Sequence, residues 1–141
     1  MAAGECPEVI NYLSKIMDEA FNIEYRGDHV HVQFGKSYTA EPEWQNELWD
    51  LLKSFCEGHD TSRVLAEGVF PAPNRPPASV VEAARKAAVI PRLWLAFHFD
   101  DFVPTENTEL YQVVAASEGV RAKFFNDREH ALNWLRANSP K

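Results

Sequence analysis

No stretch of 18 apolar residues occurs anywhere in the 141-residue chain, so no transmembrane helix is expected. Cysteine is scarce: Cys6 and Cys56 stand far apart and form no CxxC pair, which predicts neither a disulfide framework nor a four-cysteine zinc site. The amino terminus lacks a basic segment followed by an apolar one, so a secretory signal is not expected. With the cysteine usage, this predicts a cytoplasmic protein. Clusters of Lys and Arg are also missing. Against 14 Lys+Arg stand 21 Asp+Glu, a formal charge of −7, and such an acidic chain is a poor partner for a nucleic-acid backbone. Three motifs of common chemistry are absent as well. There is no GxGxxG and no GxSxG, and Gly35-Lys36-Ser37 has Val30 where a phosphate-binding loop needs its first glycine.

What is present is the composition of a globular domain, 45% hydrophobic and 12% aromatic, in a length that suits one domain. Residues 7–20 carry Val9, Ile10, Leu13, Ile16, Met17 and Ala20 at helical spacing. This predicts an amphipathic amino-terminal helix, outside the main domain at 21–141 and packed on it. A β-hairpin follows. Gly27-Asp28 reads as a two-residue loop with glycine first, which sets Tyr25 opposite Val30, Ile23 opposite Val32 and Phe21 opposite Phe34. One hairpin face is then apolar, and the other carries Asn22, Glu24, Arg26, His29, His31 and Gln33. An HxH on a strand invites a metal reading, but no third ligand is local, so His29 and His31 are expected as a solvated pair near Glu24.

Strands and helices then alternate. Pro42 opens a helix with Trp44, Leu48, Leu51, Leu52 and Phe55 on one face, Trp49 off that stripe as an exposed aromatic open to a partner, and Gly58 as its end. The run Val64-Leu65-Ala66 predicts a parallel strand covered on both sides. Ser79-x-x-Glu82 has the form of a capping box for the next helix, and Leu93 to Phe97 forms the next strand. A helix after Pro104 aligns Leu110, Val113, Val114 and Ser117. A strand over 120–125 and a helix from Asn126 with Ala131, Leu132, Trp134 and Leu135 complete the chain. The expected fold is therefore α/β: a mixed sheet, antiparallel at its opening hairpin and parallel beyond it, wrapped by crossover helices.

In open α/β sheets ligands bind beyond the carboxyl ends of the strands. Those ends carry Glu67, His98, Asp100 and Asp101, residue types able to hold a divalent cation or exchange protons. The loop at 69–78 contains Pro71, Pro73, Pro76 and Pro77, a stiff segment suited to docking a partner or simply to directing the chain into the next helix.

Phe124-Phe125-Asn126-Asp127 leading to Ala131-x-x-Trp134-Leu135 resembles the closing strand and helix of SpoIIAA-like proteins of the STAS superfamily. The hairpin, the tryptophan-bearing helix, Arg63-Val64-Leu65-Ala66-Glu67-Gly68 and the strand ending at Phe97 are similar in the same order, over about residues 21–136. The resemblance implies a non-enzymatic domain without cofactor or metal. It would act through a protein partner, as anti-sigma factor antagonists do, or through a small lipophilic ligand, with a second copy of the chain as a further candidate. Its working surface would include Phe70, Arg75 and Ser79 and the loop bearing His98, Asp100 and Asp101. Ser79 stands nearest to the serine that those antagonists phosphorylate, but Ala78 and Val80 flank it in place of the acceptor run. The alternative is a metal-dependent enzyme or metal binder built on Glu67, His98, Asp100 and Asp101.

Overall fold

The computed structural model describes residues 21–35, 42–68, 76–100 and 102–137. The predicted amino-terminal helix, Phe70, Arg75 and Asp101 lie outside the described residues. Strands β1 (Phe21–Tyr25) and β2 (Val30–Phe34) form the hairpin, and helix α1 (Pro42–Gly58) leads to β3 (Arg63–Gly68). Helix α2 (Pro77–Lys86) and a 3-10 turn (Ala87–Val89) precede β4 (Trp94–His98), followed by α3 (Glu106–Ser117), β5 (Arg121–Phe125) and α4 (Arg128–Ala137). The five strands form one sheet in the order β1-β2-β3-β4-β5, antiparallel between β1 and β2 and parallel throughout the rest.

The hairpin has the expected register, with Phe21 opposite Phe34, Ile23 opposite Val32 and Tyr25 opposite Val30. Gly27 takes φ 94°, a left-handed value that suits glycine at the first turn position, and the Arg26 N–H donates to the His29 carbonyl at 2.9 Å.

Strand alternation then divides the side chains between two layers. One face carries Val30, Val32, Val64, Ala66, Leu95 and Phe97, and α1, α2 and α3 cover it in the main core. Aromatic rings fill that core near its β5 side: Phe97 stacks on Phe124 with centroids 4.5 Å apart and meets Tyr111 edge-on at 5.3 Å. The opposite face receives α4, whose Ala131 and Leu135 pack on Leu65 and Ala96, with Trp134 against Trp94 and Phe125. Helix α4 follows the last strand, so no crossover dictates its side. Its apolar stripe settles on the face the other helices leave open.

Four local expectations are corrected. Trp49 is buried, because the inward stripe of α1 runs through Gln45, Leu48, Trp49, Leu52 and Cys56 while Leu51 and Phe55 sit at its margin. The same helix ends at Gly58, as expected, and the left-handed residue just beyond it is Asp60 at φ 52°, with the Thr61 N–H donating to the Cys56 carbonyl. Helix α2 begins two residues before Ser79, with Pro76 in the capping position and no side-chain cap, so Ser79-x-x-Glu82 is not a capping box. In α3 the buried residues are Thr108, Tyr111 and Ala115, whereas Val113 is 67% exposed. A reciprocal cap between Thr105 and Thr108 starts α3. At α4 the Asp127 carboxylate, not Asn126, accepts the His130 N–H.

Candidate functional site

Parallel pairing aligns Gln33, Glu67, His98 and Phe125 in one row across β2 to β5, near the carboxyl ends of the strands. The row lies on the face that α4 covers, and the first residue of α4, Arg128, reaches into it. Glu67 is 2% exposed, an unusual place for a carboxylate unless every lone pair is engaged. Its Oε1 faces His31 Nε2 at 2.7 Å. Its Oε2 faces His98 Nδ1 at 2.6 Å and accepts from Arg128 Nε at 2.7 Å. On the outer side, His98 Nε2 stands 3.0 Å from Asp100 Oδ1.

The electrostatics follow from these contacts. Burial pushes the Glu67 carboxyl up, but the hydrogen bonds from Arg128, His98 and His31 outweigh it and hold the group at about 2. Glu67 is therefore an anion throughout the neutral and mildly acidic range. Burial moves His31 in the opposite direction, below its ordinary value, and the hydrogen bond to Glu67 recovers only part of the change. The contact with Glu67 raises Arg128 above its own ordinary value.

A second group repeats the arrangement at the other end of α4. Asp28, in the hairpin loop, faces His29 Nδ1 at 2.6 Å and Arg136 Nε at 3.0 Å, and its carboxyl stays below its ordinary value although burial opposes this. Arg128 and Arg136 lie eight residues apart, about 12 Å along the helix axis. Each anchors α4 to a carboxylate that also holds a histidine of the β2 segment.

The expectation of a solvated His29/His31 pair is therefore wrong. The polar hairpin face does lie opposite the apolar one, but His29 is 5% and His31 3% exposed, each against a carboxylate that also pairs with an arginine of α4. His31 does sit opposite Glu24 in the register, yet its hydrogen bond goes to Glu67.

Of the residues read as a surface, His98 and Asp100 meet in this cluster, and Glu67 joins them. Ser79 does not, because it lies in the first turn of α2, whose buried residues pack in the core on the far face of the sheet. His31 and Arg128 were missed. A usable signal existed: Glu67 is a charged residue inside the apolar strand Arg63–Gly68, and a carboxylate there requires donors from neighbouring strands and from any helix on that face.

Elsewhere, a cleft of about 570 Å³ lies at the amino ends of β3 and β4, lined by Lys53, Cys56, Arg63, Ile90 and Arg92 among others. Burial, with Glu57 nearby, pushes the Cys56 thiol up to about 11, so the cleft holds a protonated, weakly nucleophilic sulfur. Among the described residues no group of three or more His, Cys, Asp or Glu side chains is placed to hold a metal ion. No helix of the described residues is long and apolar enough to cross a membrane.

No protein-family model, curated protein or solved structure matches the chain.

Proposed function

We propose that the chain is a non-enzymatic interaction or regulatory domain of the STAS type, working by binding a protein or a small ligand at the carboxyl ends of β3 and β4. The observation that carries this reading is the saturation of Glu67 by His31, His98 and Arg128. A carboxyl held at about 2 is no general acid near neutrality, where catalytic groups need values close to the working pH. Both its oxygens are engaged, so a cation would have to displace three donors to reach it. What the cluster does well is fix the positions of an imidazole and a guanidinium at the sheet's end.

The sheet order and hairpin-first topology support the STAS-like reading at the level of architecture. His98, Asp100 and Arg128 make up the proposed surface. Ser79 has no part in it, and its phosphorylation is not needed for this reading.

Native mass spectrometry of the wild type and of a His98→Gln, Arg128→Gln double variant tests the proposal. The expected result is a retained ligand or partner that the double variant loses while keeping its circular dichroism. Mg²⁺, Mn²⁺ or Zn²⁺ binding that disappears in Asp100→Ala, or substrate turnover that disappears in His98→Gln, would overturn it in favour of the metal-dependent alternative.

A further inference from the structure

Resting on the reading of this end of the sheet as a binding surface, we propose that His98 and Arg128 form an oxyanion-binding site. Asp100 is its internal occupant, displaced when the carboxylate or phosphate group of a small ligand arrives.

The two halves of the His98–Asp100 contact are unequally held. The imidazole is 10% exposed and clamped from behind by Glu67, whereas the Asp100 side chain is 94% exposed. Among the described residues His98 is the close hydrogen-bonding partner of Asp100, and the carboxylate also acts on Arg128 through its charge. An exposed carboxylate held by one ion pair is readily exchanged for another.

Arg128 is half-used. Its Nε donates to Glu67 Oε2, the same oxygen that His98 Nδ1 faces, so guanidinium and imidazole stand side by side. The four N–H donors on its terminal nitrogens have no hydrogen-bond partner among the described residues, and the side chain is 57% exposed. A planar fork of donors beside an imidazole suits an anion presenting two oxygens.

The placement of charge agrees with displacement. The His98 ring stands between two carboxylates, Glu67 behind it and Asp100 in front, and Asp100 also acts through its charge on Arg128, so His98 and Arg128 already face an anion at this position. With Asp100 swung into solvent, His98 Nε2 and the outer edge of Arg128 are left for an incoming anion. The groups facing this position are Glu67 on β3, His31 on β2, Asp100 after β4 and Arg128 on α4. The amino end of the ten-residue α4 adds its positive end.

The test uses the full chain and two probes, acetate and inorganic phosphate, at fixed ionic strength and mildly acidic pH. Binding is followed by the ring signals of His98 in nuclear magnetic resonance. Asp100→Asn removes the internal competitor, and the expected result is binding about two- to fivefold tighter than wild type, the range an exposed ion pair is worth. Arg128→Gln should abolish the gain in the Asp100→Asn background. Tighter binding of acetate than phosphate would identify a carboxylate ligand, and the reverse a phosphate ligand. Equal affinities in wild type and Asp100→Asn, or shifts that bypass His98, would overturn the proposal even if Arg128→Gln failed to fold. That outcome sinks the oxyanion assignment alone, whereas metal capture or turnover sinks the binding reading itself.

Discussion

Glu67 on β3 and His98 on β4 occupy directly paired positions, and the imidazole Nδ1 stands 2.6 Å from the carboxylate Oε2 in the buried layer beneath α4. The pairing joins the central strands through their side chains, and Arg128 on the same oxygen extends the connection to the covering helix. Glu67→Gln keeps the shape but removes the charge that three donors face. A destabilisation of about 1 to 3 kcal/mol is expected, as when buried donors lose a charged acceptor, readable as a lower urea midpoint.

Acid should weaken the fold in one direction only. Glu67 sits at about 2 in the folded chain against an ordinary 4.5, so the unfolded chain takes up this proton first. Its contribution, about 3 kcal/mol, is complete above pH 4.5 and is lost as the pH falls towards 2. His31 is also depressed, from 6.5, so its contribution is complete above that value and falls away below it. Urea midpoints should therefore decline steadily from near-neutral to acidic pH, and His31→Gln should flatten the first part of the decline.

Trp49 and Val113 invert a simple reading of helical stripes. Trp49→Ala should cost about 3 to 5 kcal/mol, since the ring is 6% exposed in the main core. Val113→Ala, at 67% exposure, should change stability by no more than about 0.5 kcal/mol. Thermal melts of the two variants separate the cases.

Gly68 closes β3 at φ 121°, and a methyl group there would overlap the Phe34 carbonyl and crowd the Gln33 amide. Gly68→Ala combines backbone strain with a collision against the neighbouring strand. It should destabilise by about 2 kcal/mol or more and loosen the end of β3 that carries Glu67, seen as faster amide exchange around residues 66–68.

Local rules carried much of the architecture. The Gly27-Asp28 loop was enough to assign every pair of the hairpin, and the short apolar runs around Leu65 and Leu95 were enough to predict parallel strands. The candidate site was legible only in part. Glu67, His98 and Asp100 could be placed at strand carboxyl ends by topology, but their donors could not, since His31 and Arg128 lie 36 and 61 residues from Glu67 in the chain. Their meeting depends on which face α4 covers, a choice made by the packing of Ala131 and Leu135 rather than by any local motif. Trp49 was misplaced for a related reason. The inward side of α1 is set by its contact with the sheet, and the apolar residues of that helix span a wider arc than the contact uses.

The central claim is that three donors hold Glu67 as a permanent anion, and the side-chain carboxyl ¹³C signal of Glu67, followed through an acid titration of the native chain, tests it most directly. The signal should stay that of a carboxylate at every pH at which the fold persists, down to about pH 2. A midpoint at 4.5 or above in the folded protein would contradict it.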